Sequence, residues 1–461
     1  MQLNLLLNTK QLKMKPIKFI DLFAGLGGIR IGFEDSFKKM GFNTECVLTS
    51  EIKPYANKTL KHNFSHNLFV GDIFNVETDK IPDFDFLLGG FPCQPFSSGG
   101  KRLGFLDTRG TLFFEIERIL RDKKPYGFIL ENVEGLVKHD LENKNDKIGQ
   151  TLKTILHVLR DDLNYKVSWK VFDSVDFGLP QSRKRIFIVG TKDKLINLDN
   201  FEKSHSVFKD VMQTGLPTLK TEFTSKLLSH YNIKELYGKS IKDKRGGKNN
   251  IHSWDIEIKG PVSKEQKIIL AKLFKSRRQK KWAEEIGIKW MDGMPLTLKQ
   301  ISTFHQSEKL KELLDDLVDK GYLKFEHPKG LVEDLTLDGL IQYRDYDSSK
   351  PKGYNIVTGK LSFEINKIIS PDDIVPTLVA TDMSRLAVVD GNGLRRFTIR
   401  EGLRLFGYPE SYEIPANENE AFDLLGNTVA IPVVKAICTK ISENMNLRKE
   451  HQIKSIPVEA L

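Results

Sequence analysis

Short apolar runs alternate with longer amphipathic stretches over residues 17–190. The runs predicted to form strands are 17–23, 46–49, 68–70, 84–88, 128–130 and 185–189. Apolar residues spaced three and four positions apart predict helices over 29–40, 112–121 and 151–163. Regular alternation of strands and helices is typical of a parallel sheet covered on both faces. The pattern therefore predicts an α/β fold with a doubly wound, mostly parallel sheet.

The pattern changes after Gly190. Residues 193–394 are rich in lysine and have weaker periodicities, and dense apolar patterning returns over 394–408 and 422–437. The basic residues of this insert include Lys244, Arg245, Lys248, Lys275, Arg277, Arg278, Lys280 and Lys281, interleaved with Trp254, Phe274, Trp282 and Trp290. Within the insert, 297–304, 308–320 and 321–325 predict helix, helix and strand, an order that resembles the second half of a winged-helix unit.

Composition narrows the class of protein. The chain has 461 residues, of which 39% are hydrophobic and 29% charged, an ordinary profile for a soluble protein. No uninterrupted apolar run approaches the roughly 18 residues of a membrane span, and the apolar residues near the N-terminus lack the pattern of a secretory signal. Three scattered cysteines exclude a disulfide framework and a thiolate zinc site and fit a reducing cytoplasm. No metal site is expected.

The net charge of +10 and the pI of about 9.1 favour a polyanionic partner. A basic protein from a lysine-rich proteome would have the same charge, so charge alone leaves both interpretations open.

A glycine-rich turn over 21–28 follows the first predicted strand and opens the first helix. Glycines let backbone approach a ligand closely at a helix N-terminus, although a purely structural tight turn has the same sequence. The turn does not match the G-x-G-x-x-G dinucleotide fingerprint. Glu51, about 20 residues further on, ends the second strand, where a carboxylate can accept both ribose hydroxyls.

Asp72 follows the third strand and is placed to accept from an adenine amino group. No phosphate-binding lysine accompanies these acids, so a nucleoside ligand without a phosphate chain, such as S-adenosyl-L-methionine, fits best. Each acid taken singly is better explained as a helix cap than as a ligand contact. Their register at consecutive strand ends favours the ligand.

Cys93 lies in a Gly-Gly-Phe-Pro-Cys-Gln-Pro-Phe-Ser segment just after the fourth strand, and Glu131 ends the fifth. Open α/β sheets place their sites at these carboxyl ends. A lone cysteine is usually a small buried hydrophobic residue, which is the interpretation for Cys46 and Cys438. The glycines, prolines and glutamine around Cys93 instead favour an accessible loop.

A Gln-Ser-Arg-Lys-Arg run over 181–185 precedes the strand at 185–189. A charge run is usually a solvated face, but alternate residues on a strand point the same way. Arg183 and Arg185 could therefore both face the crevice.

Taken in order, these motifs resemble those of bacterial DNA (cytosine-5) methyltransferases of the restriction–modification type. The resemblance covers nearly all of the chain outside 193–394. Besides the turn at 23–28, Glu51 and Asp72, it includes Pro-Cys-Gln at 92–94, Glu-Asn-Val at 131–133, Gln-x-Arg-x-Arg at 181–185, Arg400-Glu401 within 395–409, and Gly-Asn-Thr-Val at 426–429. The Pro-Thr-Leu segment at 376–378 resembles an element that closes the insert in this family.

The resemblance implies a Rossmann-like methyltransferase fold with a smaller target-recognition domain, and it assigns roles. The nucleophile would be Cys93, the acid that engages the base Glu131, and the clamp on the cytosine carbonyl Arg185, with Arg183 as a further catalytic residue. The cofactor pocket would be lined by Phe23, Gly25, Leu26, Gly28, Glu51, Asp72, Ile73, Pro92, Asn427 and Val429. The loop to about 110 would close over DNA. Gly99 stands where the family often has a serine, so the resemblance does not say which residue fills the gap left by a flipped base.

The implied reaction transfers a methyl group from S-adenosyl-L-methionine to carbon 5 of a flipped-out cytosine in double-stranded DNA, after Cys93 adds at carbon 6. The implied domains are a catalytic and cofactor-binding domain (1–192), a target-recognition domain (193–394), a hinge (395–425) and a return to the catalytic domain (426–461). We expect a cytoplasmic monomer, with no membrane partner and with a restriction endonuclease as a system partner that does not bind stably.

Three alternatives compete with this interpretation. A methyltransferase of the same chemistry acting on transfer RNA would share the cysteine and glutamate motifs, although the long insert favours DNA. A non-catalytic DNA-binding regulator on the same fold is disfavoured by the intact Cys93, Glu131 and Arg185. A dinucleotide-dependent dehydrogenase lacks its fingerprint.

Overall fold

The computed structural model describes residues 15–92, 111–143, 145–243, 249–336, 339–358 and 363–454, and Cys93 lies outside them. The chain divides into two compact units. The first comprises Met1–Gln213, Asp372–Ser384 and Thr398–Leu461, and the second comprises Thr214–Pro371 and Arg385–Phe397. The functional boundaries expected at 192, 394 and 425 remain predictions, because compactness does not tell which residues contact a ligand or DNA.

A seven-stranded sheet forms the centre of the first unit. Its strands are β1 (Ile17–Leu22), β2 (Thr44–Ser50), β3 (Phe69–Val70), β4 (Phe86–Gly90), β5 (Gly127–Val133), β6 (Lys166–Asp173) and β7 (Lys184–Thr191). They are arranged in the order β3-β2-β1-β4-β5-β7-β6. The first five are parallel, whereas β7 runs antiparallel to both β5 and β6. The prediction of a doubly wound, mostly parallel sheet is confirmed.

Helices cover both faces of this sheet because successive strand residues point to opposite sides. Phe19 and Phe86 pack in one core, and their neighbours Ile20 and Leu87 pack in the other. The helices of this unit are α1 (Gly28–Lys39), α2 (Pro54–Asn63), α3 (Thr111–Lys123), α4 (Gln150–His157), α10 (Ala380–Met383), α11 (Ile399–Phe406), α12 (Glu418–Asn427) and α13 (Ile431–Lys454).

Three features of the first unit go beyond the sequence pattern. The helix expected over 151–163 ends at His157 and continues as a π-helical turn over Val158–Asp162. The strand β6 and the helix α2 were not among the predicted elements. The connection between β6 and β7, residues 174–183, is shorter than the roughly dozen residues that a parallel crossover needs, so β7 runs antiparallel to β6.

The second unit is built from a five-stranded sheet and a helical part. Its helices are α5 (Glu222–His230), α6 (Lys264–Ser276), α7 (Lys281–Ile286), α8 (Leu298–Ser302) and α9 (Leu310–Asp319). Its strands are β8 (Ser240–Ile241), β9 (Asn250–Ile251), β10 (Leu323–Glu326), β11 (Lys329–Thr336), β12 (Gly339–Tyr346), β13 (Gly353–Ile356), β14 (Lys367–Ile369), β15 (Leu386–Asp390) and β16 (Gly393–Arg396).

The predicted helix, helix and strand of the insert are confirmed as α8, α9 and β10. The helix α6 and Leu296, which pairs with Tyr354, precede these elements. The hairpin β11–β12 follows them, and β13 then pairs antiparallel with β10. This is the element order of a winged helix, with β11–β12 as the wing. Its core includes Leu273, Ile301 and Leu314, all fully buried.

One stretch of the described chain, Glu418–Met445, is long and apolar enough to cross a membrane by length and composition alone. Its most apolar window is 67% buried inside the protein, as in the core helix of a globular unit.

Candidate active site

The glycine-rich turn sits between β1 and α1. Gly25 and Gly27 adopt left-handed φ angles of 55° and 67°, which glycine tolerates best. At Gly28 the constraint is space, because an added Cβ would lie 2.8 Å from Cγ2 of Val429 and 2.9 Å from the hydroxyl of Tyr408. The fold thus brings Val429, more than 400 residues away in sequence, against the turn, as the cofactor prediction requires.

Leu26 is held from outside the turn. Its carbonyl accepts a hydrogen bond of 2.7 Å from the Tyr412 hydroxyl. The Tyr408 hydroxyl in turn lies 2.5 Å from Oγ1 of Thr428, one residue before Val429. Sequence reasoning missed both tyrosines, and nothing in the local pattern distinguishes them from core residues.

Glu51 lies at the end of β2 and is buried. One carboxylate oxygen accepts from the Gly25 amide at 2.8 Å, and the other accepts from the amides of Ile52 and Lys53 at 2.9 Å each. The carboxylate therefore ties the glycine turn to the start of the α2 segment. These hydrogen bonds place Glu51 beside the glycine-rich turn. They also show that its carboxylate stabilises the backbone of the turn and of residues 52–53.

Asp72 and Ile73 follow β3. The Asp72 carboxylate caps a short 3-10 turn by accepting from the Phe74 amide at 3.1 Å, and Ile73 is buried. Phe74 is 46% exposed and Ile52 is 68% exposed. Sequence reasoning missed these two apolar side chains, although each lies within two residues of a predicted cofactor acid.

Asn427 ends α12, and its side-chain amide donates to the Asp423 carbonyl at 2.7 Å. The Asp423 carboxylate also accepts from Lys53 Nζ at 2.5 Å and from the Tyr55 hydroxyl at 2.7 Å. These bonds join the end of α12 to the start of α2, next to Glu51. The residues predicted to bind the cofactor in the N-terminal and C-terminal parts of the chain therefore lie at the same edge of the unit.

Glu131 lies near the end of β5, opposite Gly90 on one side and Phe187 on the other. Its Oε1 is 3.0 Å from Nε of Arg185, whose side chain is 17% exposed. Burial raises the pKa of the Glu131 carboxyl above its ordinary value, and the charges of Arg185 and Arg183 act against that shift. The site thus places a buried acid with a raised pKa beside the Arg185 guanidinium.

Arg183 has different surroundings. Its guanidinium is buried and donates to the carbonyls of Leu378 at 3.2 Å and Gly426 at 2.9 Å, and it lies over the Phe406 ring at 5.1 Å. β7 begins only at Lys184, so Arg183 is not part of the strand's alternation. A catalytic role for Arg183 stays a prediction; the contacts are those of a residue that holds chain segments together.

Two further motif residues join distant segments. The buried Gln181 side chain donates to the Leu405 carbonyl at 3.1 Å and accepts from the Leu378 amide at 3.2 Å. The buried Glu401 carboxylate accepts from the amides of Gln213 and Thr398, at 3.0 Å each.

The segment that leads to Cys93 is described as far as Pro92, and the predictions for Cys93 and for the loop to 110 concern residues outside the described ranges. Asn132, next to Glu131, donates to the Phe91 carbonyl at 3.2 Å and so anchors the strand end that precedes Pro92. The other cysteines fit their predicted packing role. Cys46 and Cys438 are buried, and burial raises the pKa of the Cys46 thiol to about 11.

The sheet order and the residues gathered at its edge define a methyltransferase of the Rossmann-like class. The chain belongs to the family of C-5 cytosine-specific DNA methylases, whose family model matches residues 17–443. It is therefore a DNA (cytosine-5) methyltransferase of the kind found in type II restriction–modification systems, as the sequence motifs predict. The dehydrogenase and non-catalytic alternatives are wrong.

Named relatives support this identification. The chain is 56% identical over 429 residues to the Type II methyltransferase M.NlaIV of Neisseria lactamica, covering 93% of this chain and 99% of that protein. It is 40% identical over 453 residues to the Type II methyltransferase M.BanI of Aneurinibacillus aneurinilyticus, covering 93% and 96%. The solved structure of the Entamoeba histolytica methyltransferase EhMeth is similar in fold, with a TM-score of 0.50 and 14% identity over 94% of this chain and 99% of that one.

Proposed function

We propose that this enzyme transfers a methyl group from S-adenosyl-L-methionine to carbon 5 of a cytosine flipped out of double-stranded DNA, with Cys93 as the nucleophile. The observation that carries the proposal is the Glu131–Arg185 pair. It lies one strand away from Gly90, and Cys93 follows Gly90 by three residues in the sequence.

The residues around the glycine turn fit a nucleoside cofactor. Among the described residues, an added Cβ at Gly25 would meet the Phe23 carbonyl at 3.9 Å and nothing nearer. Exposed Ile52 and Phe74 offer apolar surface for an adenine ring, and Glu51 and Asp72 offer carboxylates for ribose hydroxyls and an amino group. When bound, S-adenosyl-L-methionine would supply an electrophilic methyl group. Phe23, Gly25, Leu26, Gly28, Ile73, Pro92, Asn427 and Val429 are the remaining residues proposed to hold it.

The proposed chemistry makes cytosine carbon 5 nucleophilic. The Cys93 thiolate adds at carbon 6, which converts the ring to an enamine with its electron density on carbon 5. A free thiol has a pKa of about 8.5, so the closed site has to favour the thiolate. After methylation, loss of the carbon 5 proton and expulsion of Cys93 release 5-methylcytosine.

Glu131 and Arg185 would handle the charge that addition creates. A carboxyl whose pKa is raised by burial can carry the proton that ring nitrogen 3 takes up. Arg185, ion-paired to one carboxylate oxygen, holds the acid in place and can also donate to the cytosine carbonyl oxygen. Because a stacked base is out of reach, flipping costs a few kcal/mol, to be recovered from DNA contacts.

Recognition of the DNA target is assigned to the 193–394 region, with 395–425 as hinge and 426–461 as part of the catalytic domain. We propose a monomer that acts in the cytoplasm as the modification enzyme of a restriction–modification system, alongside an endonuclease it does not bind stably. Side-by-side methyl transfer to duplex DNA and to transfer RNA tests the choice of substrate; transfer confined to RNA would overturn it.

The covalent step is tested with duplex DNA that carries 5-fluorocytosine in a methylatable site. Fluorine blocks release, so we expect an adduct that survives denaturing electrophoresis and depends on S-adenosyl-L-methionine. Cys93→Ala should abolish both the adduct and methyl transfer, whereas Cys46→Ala, the matched control at a buried cysteine, should keep both. Adduct formation by Cys93→Ala, or its absence from the unaltered enzyme, would overturn the mechanism.

A further inference from the structure

The winged-helix part of the second unit has an unusual distribution of charge. In helix-turn-helix proteins the second helix of the motif enters the major groove, and α9 holds that position after α8. Yet α9 contains four acidic residues and one lysine. Asp315 accepts from the Tyr354 hydroxyl at 2.7 Å, and Asp316 accepts from Gln266 and Lys320 at 2.6 Å each, so these acids support the fold. Such a helix repels phosphates.

Positive charge is concentrated elsewhere in the same part of the unit. The stretch from Lys264 to Lys281 contains eight cations and one acid. Its exposed lysines are Lys264, Lys272, Lys275, Lys280 and Lys281. Arg277, by contrast, is buried and donates to the Asn355 side chain at 2.6 Å, so it belongs to the interior. The basic face therefore runs along α6 and the turn into α7.

This basic face continues around an exposed tryptophan. Trp290 is 39% exposed, whereas Trp254 and Trp282 are buried. The Trp290 indole N–H donates to the Arg278 carbonyl at 3.2 Å, and Lys280 Nζ lies 5.8 Å from the Trp290 ring. The Trp290 backbone carbonyl accepts from the Arg344 guanidinium at 3.1 Å. Asp292 forms an ion pair with Arg278 at 3.3 Å. We call Arg278, Lys280, Lys281, Trp290 and Arg344 the Trp290 edge.

We infer that the Trp290 edge binds the sugar–phosphate backbone of duplex DNA, and that the winged helix uses this edge instead of α9. The inference rests on the proposed function, since it takes DNA as the substrate. Arg278 and Lys280 from the α6–α7 turn and Arg344 from β12, two different segments, all contact or approach Trp290, whose ring is exposed. Lysines and arginines can pair with phosphates while the indole packs on a deoxyribose, and such contacts position a protein without reading sequence.

The test compares charge removal at the edge with charge removal on α9. Affinity for a methylatable duplex and for a random duplex is measured across a salt series. The slope of log K against log salt is negative, and each lost phosphate contact reduces its magnitude by about 0.9. We therefore expect the double variant Lys280→Gln, Lys281→Gln to have a shallower slope, reduced in magnitude by about 1.8 for both duplexes. The matched control Lys311→Gln, at an exposed lysine on α9, should leave the slope unchanged.

A second readout uses the indole itself. DNA should quench or shift the fluorescence of the unaltered enzyme, and Trp290→Phe should remove most of that change. An unchanged slope in the double variant, or an equal loss in Lys311→Gln, would overturn the inference. Methyl transfer by the unaltered enzyme to the same duplex is measured in parallel. If that transfer fails, the proposed function fails; if it succeeds while the slope stays unchanged, only the Trp290 edge is wrong.

Discussion

Nε of Arg185 lies 3.0 Å from Oε1 of Glu131, and both side chains are largely withdrawn from solvent. The pairing depends on strand direction. Because β7 runs antiparallel to β5, Arg185 comes opposite Val133 and its side chain can reach back to Glu131. A parallel β7 would carry Arg185 to the other end of the strand. The antiparallel direction of β7 therefore brings Arg185 to Glu131 at the carboxyl end of β5, next to the end of β4 that leads to Pro92.

Glu131→Gln keeps the size of the side chain but removes its acidity. We expect kcat for methyl transfer to fall by about 10²–10⁴, the usual contribution of a positioned acid. DNA affinity should change much less. Glu134→Gln, at an exposed glutamate three residues away, is the control and should keep full activity. Equal losses in rate and in DNA affinity would contradict the acid role.

The two arginines of the 181–185 motif should separate by experiment. Arg183→Lys cannot span the carbonyls of Leu378 and Gly426 at once, so we expect the free energy of unfolding to fall by about 1.5–3 kcal/mol. Arg185→Lys keeps a cation near Glu131 and should lower kcat with little change in the thermal midpoint. Thermal melts and single-turnover rates on both variants check this. The reverse pattern would make Arg183 the catalytic arginine.

Gly28→Ala tests the close contact at the cofactor turn. The added methyl group would collide with Val429 and Tyr408, at a cost of about 1–3 kcal/mol. We expect a lower thermal midpoint without cofactor and at least about tenfold weaker S-adenosyl-L-methionine binding by calorimetry. Gly71→Ala, where an added Cβ meets nothing within 4 Å, is the control for stability in the absence of cofactor. Equal midpoints for the two variants would argue against the contact.

Asp21→Asn should make the first unit less sensitive to pH. Burial raises the pKa of Asp21 from 3.8 to about 7, with further contributions from neighbouring charges. The folded state therefore binds the proton more tightly than the unfolded state, and stability falls as pH rises from about 4 to about 7. The amide is neutral throughout. We expect the variant to melt at a higher temperature than the unaltered enzyme at about pH 8, and the difference to shrink as pH falls through 7.

The control for this pH effect is Asp79→Asn, at an exposed aspartate, which should not alter the pH dependence of the midpoint. A constant difference between Asp21→Asn and the unaltered enzyme across this pH range would show that Asp21 is ionised in the folded protein.

Much of the central sheet is predictable from local pattern. Strands β1, β2, β4 and β5 are apolar runs ended by glycine or acid, and the glycines at 25 and 27 mark a turn that needs left-handed backbone. The strand β6, residues 166–173, was missed because an edge strand with polar positions resembles a loop when it is considered alone. The direction of β7 depends on its short connection to β6, and β6 was not among the predicted strands.

By itself, the sequence determined the alternation of elements, the glycine turn, the acids at successive strand ends and the family, because each depends on residue types at short, fixed spacings. Only the tertiary structure showed that Arg183 and Arg185, which look equivalent in the motif, have different surroundings. One is buried on two carbonyls and the other reaches Glu131. It alone brought Tyr408 and Tyr412 to the turn, and it alone showed which cations of the 264–281 stretch are exposed. Contacts between distant segments depend on strand direction and on which surface packs inward, and neither is encoded in the spacing of neighbouring residues.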